Sequence, residues 1–598
     1  MPKAPLGLAI TWLLIAWVFP AAADQAIPIS ICALQGTGFS SPYLDRNVRV
    51  QGVVTADFDQ TGQRGFYIQS PDCDSKSSTS DGVFIYLAER VEVVSAGDRV
   101  RITGQVKEYY GMTEISVSAA NISMLSHDNP LPSPRELNPP FEDSSARSYF
   151  ESLEGMVVHL SQGRAVGPTD SDDRTWLVRS DLGVQRVFHD DAQGTGEVIC
   201  ADDEGLYELT PEVKVGDEVN SLTGVLDFRI GQYCIQLTDA PQAAQMSAIE
   251  RHDMPTPDAP AITLATFNLE ELFDTVDNPA NDDRVLSMAE YQRRLEKRAL
   301  AIGDELGQPA LLAVQEAENR TVLADLIDRP EIQAWYQVII EDGPDVRGLD
   351  VALLYRPDRA SVLGYQTRQA CTALEDGFEP DGNDDPQNPQ NDLTCDLDGD
   401  GILDGNRLFS RPPLVVHLLA QPGAGFGYEG KGSFPDDFYD LWLVVCHFKS
   451  KVGDSSTVAY TLPRRVEQAR FVAGLVREIR VENPSAQVVV LGDLNDHPDS
   501  QPLAELMTGG LINALDLRER DARYSYIYTG ISQTLDYILF APQYNLSPNM
   551  VKPAHINADY PESYQGSDGS VHRSSDHDPL LIGFSPAAAA IYLPLVIR

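Results

Sequence analysis

Near the C-terminus, the run SSDHDPLLIGF, Ser574 to Phe584, sets Ser, Asp, His and Asp side by side before a strand-like apolar stretch. An imidazole beside carboxylates can take or give a proton near neutral pH, so His577 is a candidate general base or acid. Taken alone, Asp576 and His577 are a cap and a surface histidine. Other polar residues at strand ends change that reading. Asn268 and Glu270 follow TLATF, Glu316 ends LLAVQ, His447 ends LWLVVC, and Asp493 and Asn495 end VVVLG. Carboxylates without thiolate partners select hard cations such as Mg²⁺, Mn²⁺ or Ca²⁺. Asparagine amides orient phosphate oxygens or a water without adding charge. The chemistry this set describes is metal-assisted phosphoester hydrolysis.

Such a set works only if the strands end on one rim of a sheet, where ligand sites of α/β folds gather. Between Ile262 and Phe584, the runs ITLATFNL, ALLAVQEAEN, DVALLYRP, LWLVVCHFKS, QVVVLGDLND, TLDYILF and DPLLIGF read as buried strands. YQRRLEKRALAIGDEL and PRRVEQARFVAGLVREI read as amphipathic helices between them. A layered α/β domain is predicted. Ahead of it, two blocks show the period-two alternation and turn-rich boundaries of small all-β barrels. GDRVRITGQV from Gly97 returns as GDEVNSLTGVL from Gly216, one residue longer. About five short strands in each block suit an OB-type barrel. The first block's aromatics, Phe66, Tyr67, Phe84, Tyr86, Tyr109 and Tyr110, either form a base-stacking face or fill the core, since alternation sends half of them inward.

The ordered motifs TFNLEELFD, AVQEAEN, HFKSK, GDLND, LDYIL and SDHDPL resemble those of the endonuclease/exonuclease/phosphatase superfamily, in its deoxyribonuclease I-like branch. The whole chain resembles bacterial extracellular nucleases that carry OB-like modules ahead of that domain. The resemblance implies a four-layer α/β sandwich and a metal-dependent nuclease acting on DNA or RNA. It implies that Glu316 binds the metal, with Glu270 and Asp576 as further metal-side carboxylates, and that Asn268 holds phosphate. Asp493 and Asn495 would position nucleophile and scissile phosphate. His577 would be the catalytic histidine, oriented by Asp536 of TLDYIL, with His447 the second histidine. Arg411 of FSRPPLVV resembles a phosphate-contacting arginine. Whether Asp493 or His577 is the base stays open. Phospholipid phosphodiesterases and phosphatases share these motifs, and a non-catalytic nucleic-acid-binding protein would require a lost motif residue.

The formal net charge of −44 argues against a broad basic face for nucleic acid, although an acidic site can recruit bridging cations. Between Cys371 and Arg411, DLDGDGILDG places Asp396, Asp398, Asp400 and Asp404 at positions 1, 3, 5 and 9 of a calcium-loop pattern. Arg407 stands where position 12 needs Glu, so the run is a shorter Ca²⁺ loop or a solvated acidic turn. The expected organisation is a secretory signal peptide at 1–23, barrels at 26–126 and 135–244, a catalytic domain at 260–585 and a tail at 586–598 that is a sorting signal or an extra strand. Export permits disulfides, and cysteine order suggests 32 with 73, 200 with 234 and 371 with 395, leaving Cys446 buried and inert.

Overall fold

In each N-terminal block, five strands pair into a closed ring. In the first, β1 (Asn47–Phe58), β2 (Gly65–Gln69), β3 (Gly82–Leu87), β4 (Arg99–Tyr109) and β5 (Met112–Val117) run in the order β1-β2-β3-β5-β4, and β4 returns to pair with β1. Alternating Val50, Val54, Phe66, Ile68, Ile85, Ile102 and Ile115 fill its interior. The second ring joins β6 (Val157–Gly167), β7 (Thr175–Arg179), β9 (Ile199–Asp202), β10 (Glu218–Arg229) and β11 (Gln232–Leu237), closed by pairing of β10 with β6. The sequence repeat recurs as geometry. Gly97 and Gly216 both sit at φ 90°, and the next residue's carboxylate, Asp98 or Asp217, accepts the backbone N–H of Ser95 or Lys214. The second copy carries Ser221 at φ 58° inside β10, a left-handed residue in the copy that is one residue longer.

The computed structural model describes residues 26–59, 63–71, 73–74, 76–203, 209–229, 231–245, 262–374, 394–421, 439–454, 459–541, 544–545, 550–566 and 569–586. The expected signal peptide, and residues 587–598 of the expected tail, lie outside the described residues. The chain divides into two compact units. The first comprises 1–135, 147–159 and 224–234, and the second 136–146, 160–223 and 235–598. Among the described residues, no helix is long and apolar enough to cross a membrane.

From Ile262 onward the second unit contains two mixed sheets. One has the order β14 (Gln337–Ile340), β15 (Asp350–Tyr355), β13 (Leu311–Ala317), β12 (Ile262–Leu272), β25 (Leu580–Pro586), with β24 (Val551–Pro553) also on β25. The other has the order β16 (Ala360–Thr367), β17 (Leu414–Ala420), β18 (Tyr439–His447), β19 (Gln487–Asp493), β23 (Asp536–Phe540), β20 (Ile512–Asn513). Period-two alternation gives each sheet two apolar faces. Leu264, Leu311 and Leu353 of the first meet Leu443, Leu491 and Ile538 of the second in one core. On its other face the first sheet packs Phe267 and Leu312 against Leu295 of α1 (Met288–Leu300) and Leu323 of α2 (Arg320–Ile327). The second packs Val444 and Val490 against Val472 of α3 (Leu462–Glu482) and Leu503 of α4 (Gln501–Met507). Each fully buried Leu or Val contributes about 1.5–3 kcal/mol, so these faces hold the strand ends rigidly.

Cys32–Cys73 and Cys371–Cys395 are bonded, as the cysteine order suggests, and Cys200 and Cys234 are also in the disulfide state. Cys446 is free and buried.

Candidate active site

Two parallel strand pairs set the frame. β12 lies beside β13 with Asn268 opposite Gln315, and β18 beside β19 with His447 opposite Asp493. Each pair therefore delivers polar residues at its C-terminal end: Asn268 and Glu316 from one, His447 and Asp493 from the other. Antiparallel β23 begins at Asp536, directly opposite Asp493. The chain then turns sharply. Glu316, Asn495, Glu270 and Glu271 sit at φ 61°, 51°, 49° and 46°. Left-handed non-glycine residues cost about 1–3 kcal/mol each and cluster where function requires a fixed geometry. Gly492 shows why GDLND begins as it does: at φ 132°, a Cβ there would lie 1.9 Å from the Cys446 carbonyl oxygen.

The side chains converge. His577 Nδ1 lies 2.6 Å from Asp536 Oδ2, and its Nε2 lies 4.0 Å from Asp493 Oδ2. His447 Nε2 is 3.5 Å from Asp493 Oδ2 and 3.8 Å from Glu316 Oε1. Asn268 Nδ2 donates to Asp493 Oδ2 at 3.2 Å and Glu316 Oε1 at 3.3 Å, bridging the two sheets. Arg411 is buried, with Nη1 3.0 Å from His447 Nε2 and Nε donating to Asp345 Oδ2 at 3.1 Å. Asn495 N donates to Asp493 Oδ1 at 2.8 Å, and its amide nitrogen donates to the Phe448 carbonyl. The ring of Tyr526 packs 4.8 Å from that of His577.

Burial and crossed charges tune these groups. Burial pushes Asp493 up to about 7, with Asp536 and Glu316 adding to the rise and His577 opposing it. Burial opposes charge on His577, yet Asp536, Asp576 and Asp493 hold it well above the usual histidine range. His447 goes the other way: burial, then the charges of Arg411 and His577, keep it neutral. One imidazole is thus poised to carry a proton and the other to stay uncharged, beside an acid that titrates near neutrality.

The expected metal carboxylates are less tightly grouped. The ligand-type atoms that meet within 4.8 Å here are those of Asp493, Asp536 and His577. Glu316 also accepts Glu271 N at 2.8 Å through its second oxygen. Glu270 accepts the Gln565 amide at 2.9 Å and lies 3.8 Å from Arg298, and burial followed by the charge of Asp576 raises its pKa. Glu270, Asp576 and Glu316 all act on the buried guanidinium of Arg298, which places the three acids in one field. These donors are carboxylate oxygens with no thiolate, which fits a hard divalent cation.

Several residues around the site have no sequence signature. Arg298, on the inner face of α1, donates to the carbonyls of Leu269 and Glu270 and so braces the left-handed turn. Asp345 holds Arg411, and Ser575 Oγ donates to the Asn268 carbonyl at 2.8 Å. Only Ser575 adjoins a motif, in SSDHDP. Asp578 accepts Asn557 N and Ala558 N and lies 2.9 Å from His555 Nδ1, so it fixes the local turn and makes no contact with the His577 ring. Lys451 Nζ donates to Gln533 Oε1 at 2.7 Å.

The acidic loop stands apart. Asp396, Asp398 and Asp400 bring oxygens within 4.8 Å of one another, whereas Asp404 accepts Leu397 N. Asp396 accepts Gly399 N, Asp400 N and Gly401 N, and these backbone donors, Gly401 first, lower its pKa.

Residues 263–381 and 430–542 match the family model described as Endonuclease/Exonuclease/phosphatase family, and residues 131–247 match a Domain of unknown function (DUF8508). No curated protein matches the chain. Among solved structures, an endonuclease/exonuclease/phosphatase from Bacteroides vulgatus is 17% identical, covering 55% of this chain and 99% of that one, at a TM-score of 0.33. The human Nocturnin catalytic domain with bound sulfate anion is 16% identical over 55% of this chain and 95% of its own, at 0.32. A humanized D. rerio TDP2 is 14% identical over 54% and 99%, also at 0.32. Scores this low carry no argument, and the likeness rests on the family model matched by part of the C-terminal region. Over the matched residues, the C-terminal region is similar to the endonuclease/exonuclease/phosphatase family. That family is hydrolytic, with nuclease and phosphatase members, and generally uses divalent metals such as Mg²⁺.

Proposed function

We propose that the protein is a secreted, metal-dependent nuclease that hydrolyses phosphodiester bonds of extracellular DNA or RNA with little sequence preference. The observation that carries this reading is the His577–Asp536 pair, 2.6 Å apart, facing Asp493 across the ends of the central strands. In this reading Asp536 fixes the His577 tautomer by accepting from Nδ1, which leaves Nε2 to exchange a proton with the attacking water. Asp493 and Asn495 position that water and the scissile phosphate. Asn268, His447 and Arg411 hold the phosphate oxygens, with Asp345 aiming the guanidinium. Glu316, with Glu270 and Asp576, would hold Mg²⁺ or Mn²⁺, which supplies neutralisation of the crowded phosphate charge. The 396–404 loop is read as a structural Ca²⁺ site.

The α/β region is read as a four-layer sandwich and the two closed five-stranded rings as OB-like barrels, at 26–126 and 135–244. Three core clusters and the repeated left-handed glycines support this. Disulfides are compatible with export after removal of residues 1–23. The test is digestion of plasmid, linear duplex, single-stranded DNA, RNA and sphingomyelin, with and without Mg²⁺, Mn²⁺ and Ca²⁺. Metal-dependent cleavage of DNA is expected, and hydrolysis of sphingomyelin alone would sink the reading.

A further inference from the structure

The first unit holds a second chemically equipped cavity, of about 730 Å³, that the hydrolytic reading does not use. Phe84 and Tyr86 of β3, Tyr109 and Tyr110 at the end of β4, Arg64 and Glu114 line it. Its exposed aromatics come from one tight hairpin. Tyr110 at φ 48° and Gly111 at φ 98° form the corner between β4 and β5, and Phe228 packs so close beneath Gly111 that a Cβ there would meet it at 2.7 Å. Both corner residues need φ > 0, the signature of a primed hairpin turn. The turn holds Tyr109 and Tyr110 in a T-shaped pair, 60% and 79% exposed, on a backbone strained to do so. By contrast Phe66 and Tyr67, of the same aromatic set, are fully buried.

The cavity's polar group is the telling one. Glu114 is 6% exposed, and no described residue hydrogen-bonds its carboxyl. Burial, then the charge of Glu108, pushes it up to about 7. Its carboxyl lines the cavity, where a ligand that brings donors can meet it. Two guanidinium groups stand at the same cavity. Arg229 is paired with Asp227, while Arg64 is exposed and has no partner among the described residues.

Together these features specify a ligand. Exposed rings ask for a flat aromatic partner, because stacking on Tyr is favourable for any base. A free arginine at the same mouth asks for an anion and opposes the organic cations that aromatic cages otherwise take. A carboxylate offers two acceptors side by side. Among the four DNA bases, guanine alone presents two adjacent donors, N1–H and the 2-amino group. We propose that this cavity binds a guanine nucleotide, free or within a single strand. The base stacks on Tyr109 and Tyr110, Glu114 accepts from N1–H and the 2-amino group, and Arg64 meets the phosphate.

The test uses the full chain in EDTA at about pH 8, where the carboxyl is ionised and no turnover occurs, so its failure leaves the hydrolytic reading untouched. Calorimetric titration compares dGMP with dAMP, dCMP, TMP and choline. Anisotropy of labelled strands compares an all-thymidine oligonucleotide with the same strand carrying one central guanosine, which separates free nucleotide from single strand. Guanine in either form should bind at least about fivefold tighter than the other bases, the scale of a bidentate contact. Tyr110→Ala should weaken every base by about fivefold or more, the scale of one lost stack. Glu114→Gln should abolish the guanine preference without moving the circular dichroism spectrum. Equal affinity for all four bases, preference for choline, or unchanged affinity in Tyr110→Ala would each overturn the proposal. Tyr110 is a surface residue, so that last arm stands even if Glu114→Gln fails to fold.

Discussion

Two places in the second unit gather aspartates, and they are built in opposite ways. At the strand ends, Asp493 and Asp536 are buried to 1% exposure, and their oxygens face His577, His447 and Asn268. In the 396–404 loop, Asp396 and its neighbours lie at the surface and spend their oxygens on backbone N–H groups of their own turn. The same side chain is therefore lifted toward neutrality in one place and pushed below the usual carboxylate range in the other. Both runs read as acidic clusters in sequence. Only one is desolvated, strained and crossed by charges from other elements, and that difference separates a reacting group from a folded loop.

The contrast can be broken in order of expected effect. His577→Ala and Glu316→Ala should each lower kcat by at least about a hundredfold with an unchanged circular dichroism spectrum, the scale of lost acid–base or electrostatic help. Near-normal turnover in either would reject the assignment. Asp345→Asn should cost about tenfold in kcat/KM by loosening Arg411, with thermal unfolding little changed; a purely structural Asp345 would shift Tm and leave kinetics alone. Arg298→Met strands the carbonyls of Leu269 and Glu270 and should destabilise by about 1–3 kcal/mol in urea titrations. With Mg²⁺ as the only divalent cation, Asp398→Asn should leave activity within about twofold and Tm within about 2 °C, since surface changes seldom exceed about 0.5 kcal/mol, and only added Ca²⁺ should raise the Tm of the wild type above that of the variant. A catalytic collapse there would erase the distinction.

The pH dependence sharpens it further. A carboxyl with a raised folded pKa favours its neutral form, so its contribution is intact below the unfolded value and lost as pH rises through the folded one. In EDTA, Asp493→Asn should therefore gain Tm relative to wild type as pH climbs from about 4 to about 7. Asp396 has the opposite sign: its contribution is present above the unfolded value and lost on acidification, so Asp396→Asn should matter at neutral pH and not in acid.

Strand ends were legible in sequence because apolar runs with period two stop abruptly at Asn268, Glu316, His447 and Asp493, and position along the chain then dictates position on the rim. The repeat was legible because a left-handed glycine followed by a capping aspartate is a local device at Gly97 and Gly216. Arg298 and Asp345 were not, since each acts through a contact made by an element distant in sequence. Of the aromatics, alternation alone could not say that Tyr67 is buried while Tyr110 is exposed; a positive φ at the hairpin corner decided it.

One short pairing alters what counts as a module. Two residues of the second block, β8 (Val187–Phe188), run parallel to β22 (Ile531–Gln533), whose other edge is taken by β21 (Tyr526–Tyr528). Just before them, Arg186 donates to Tyr524 Oη at 2.9 Å, pairs with Asp559 at 3.0 Å and lies 3.6 Å over the Tyr524 ring. Tyr526, the neighbour of His577, stands on that same hairpin. Cutting the chain in the proline-rich run DMPTPDAPA, Asp253 to Ala261, would divide the sequence at its obvious seam but tear the second unit across a hydrogen-bonded edge. The freed fragment would keep an unpaired strand edge and a stranded carboxylate, and should aggregate more readily than it cuts. Heredity can shuffle such blocks at that proline-rich run, but a fragment that keeps this edge paired begins well upstream of it.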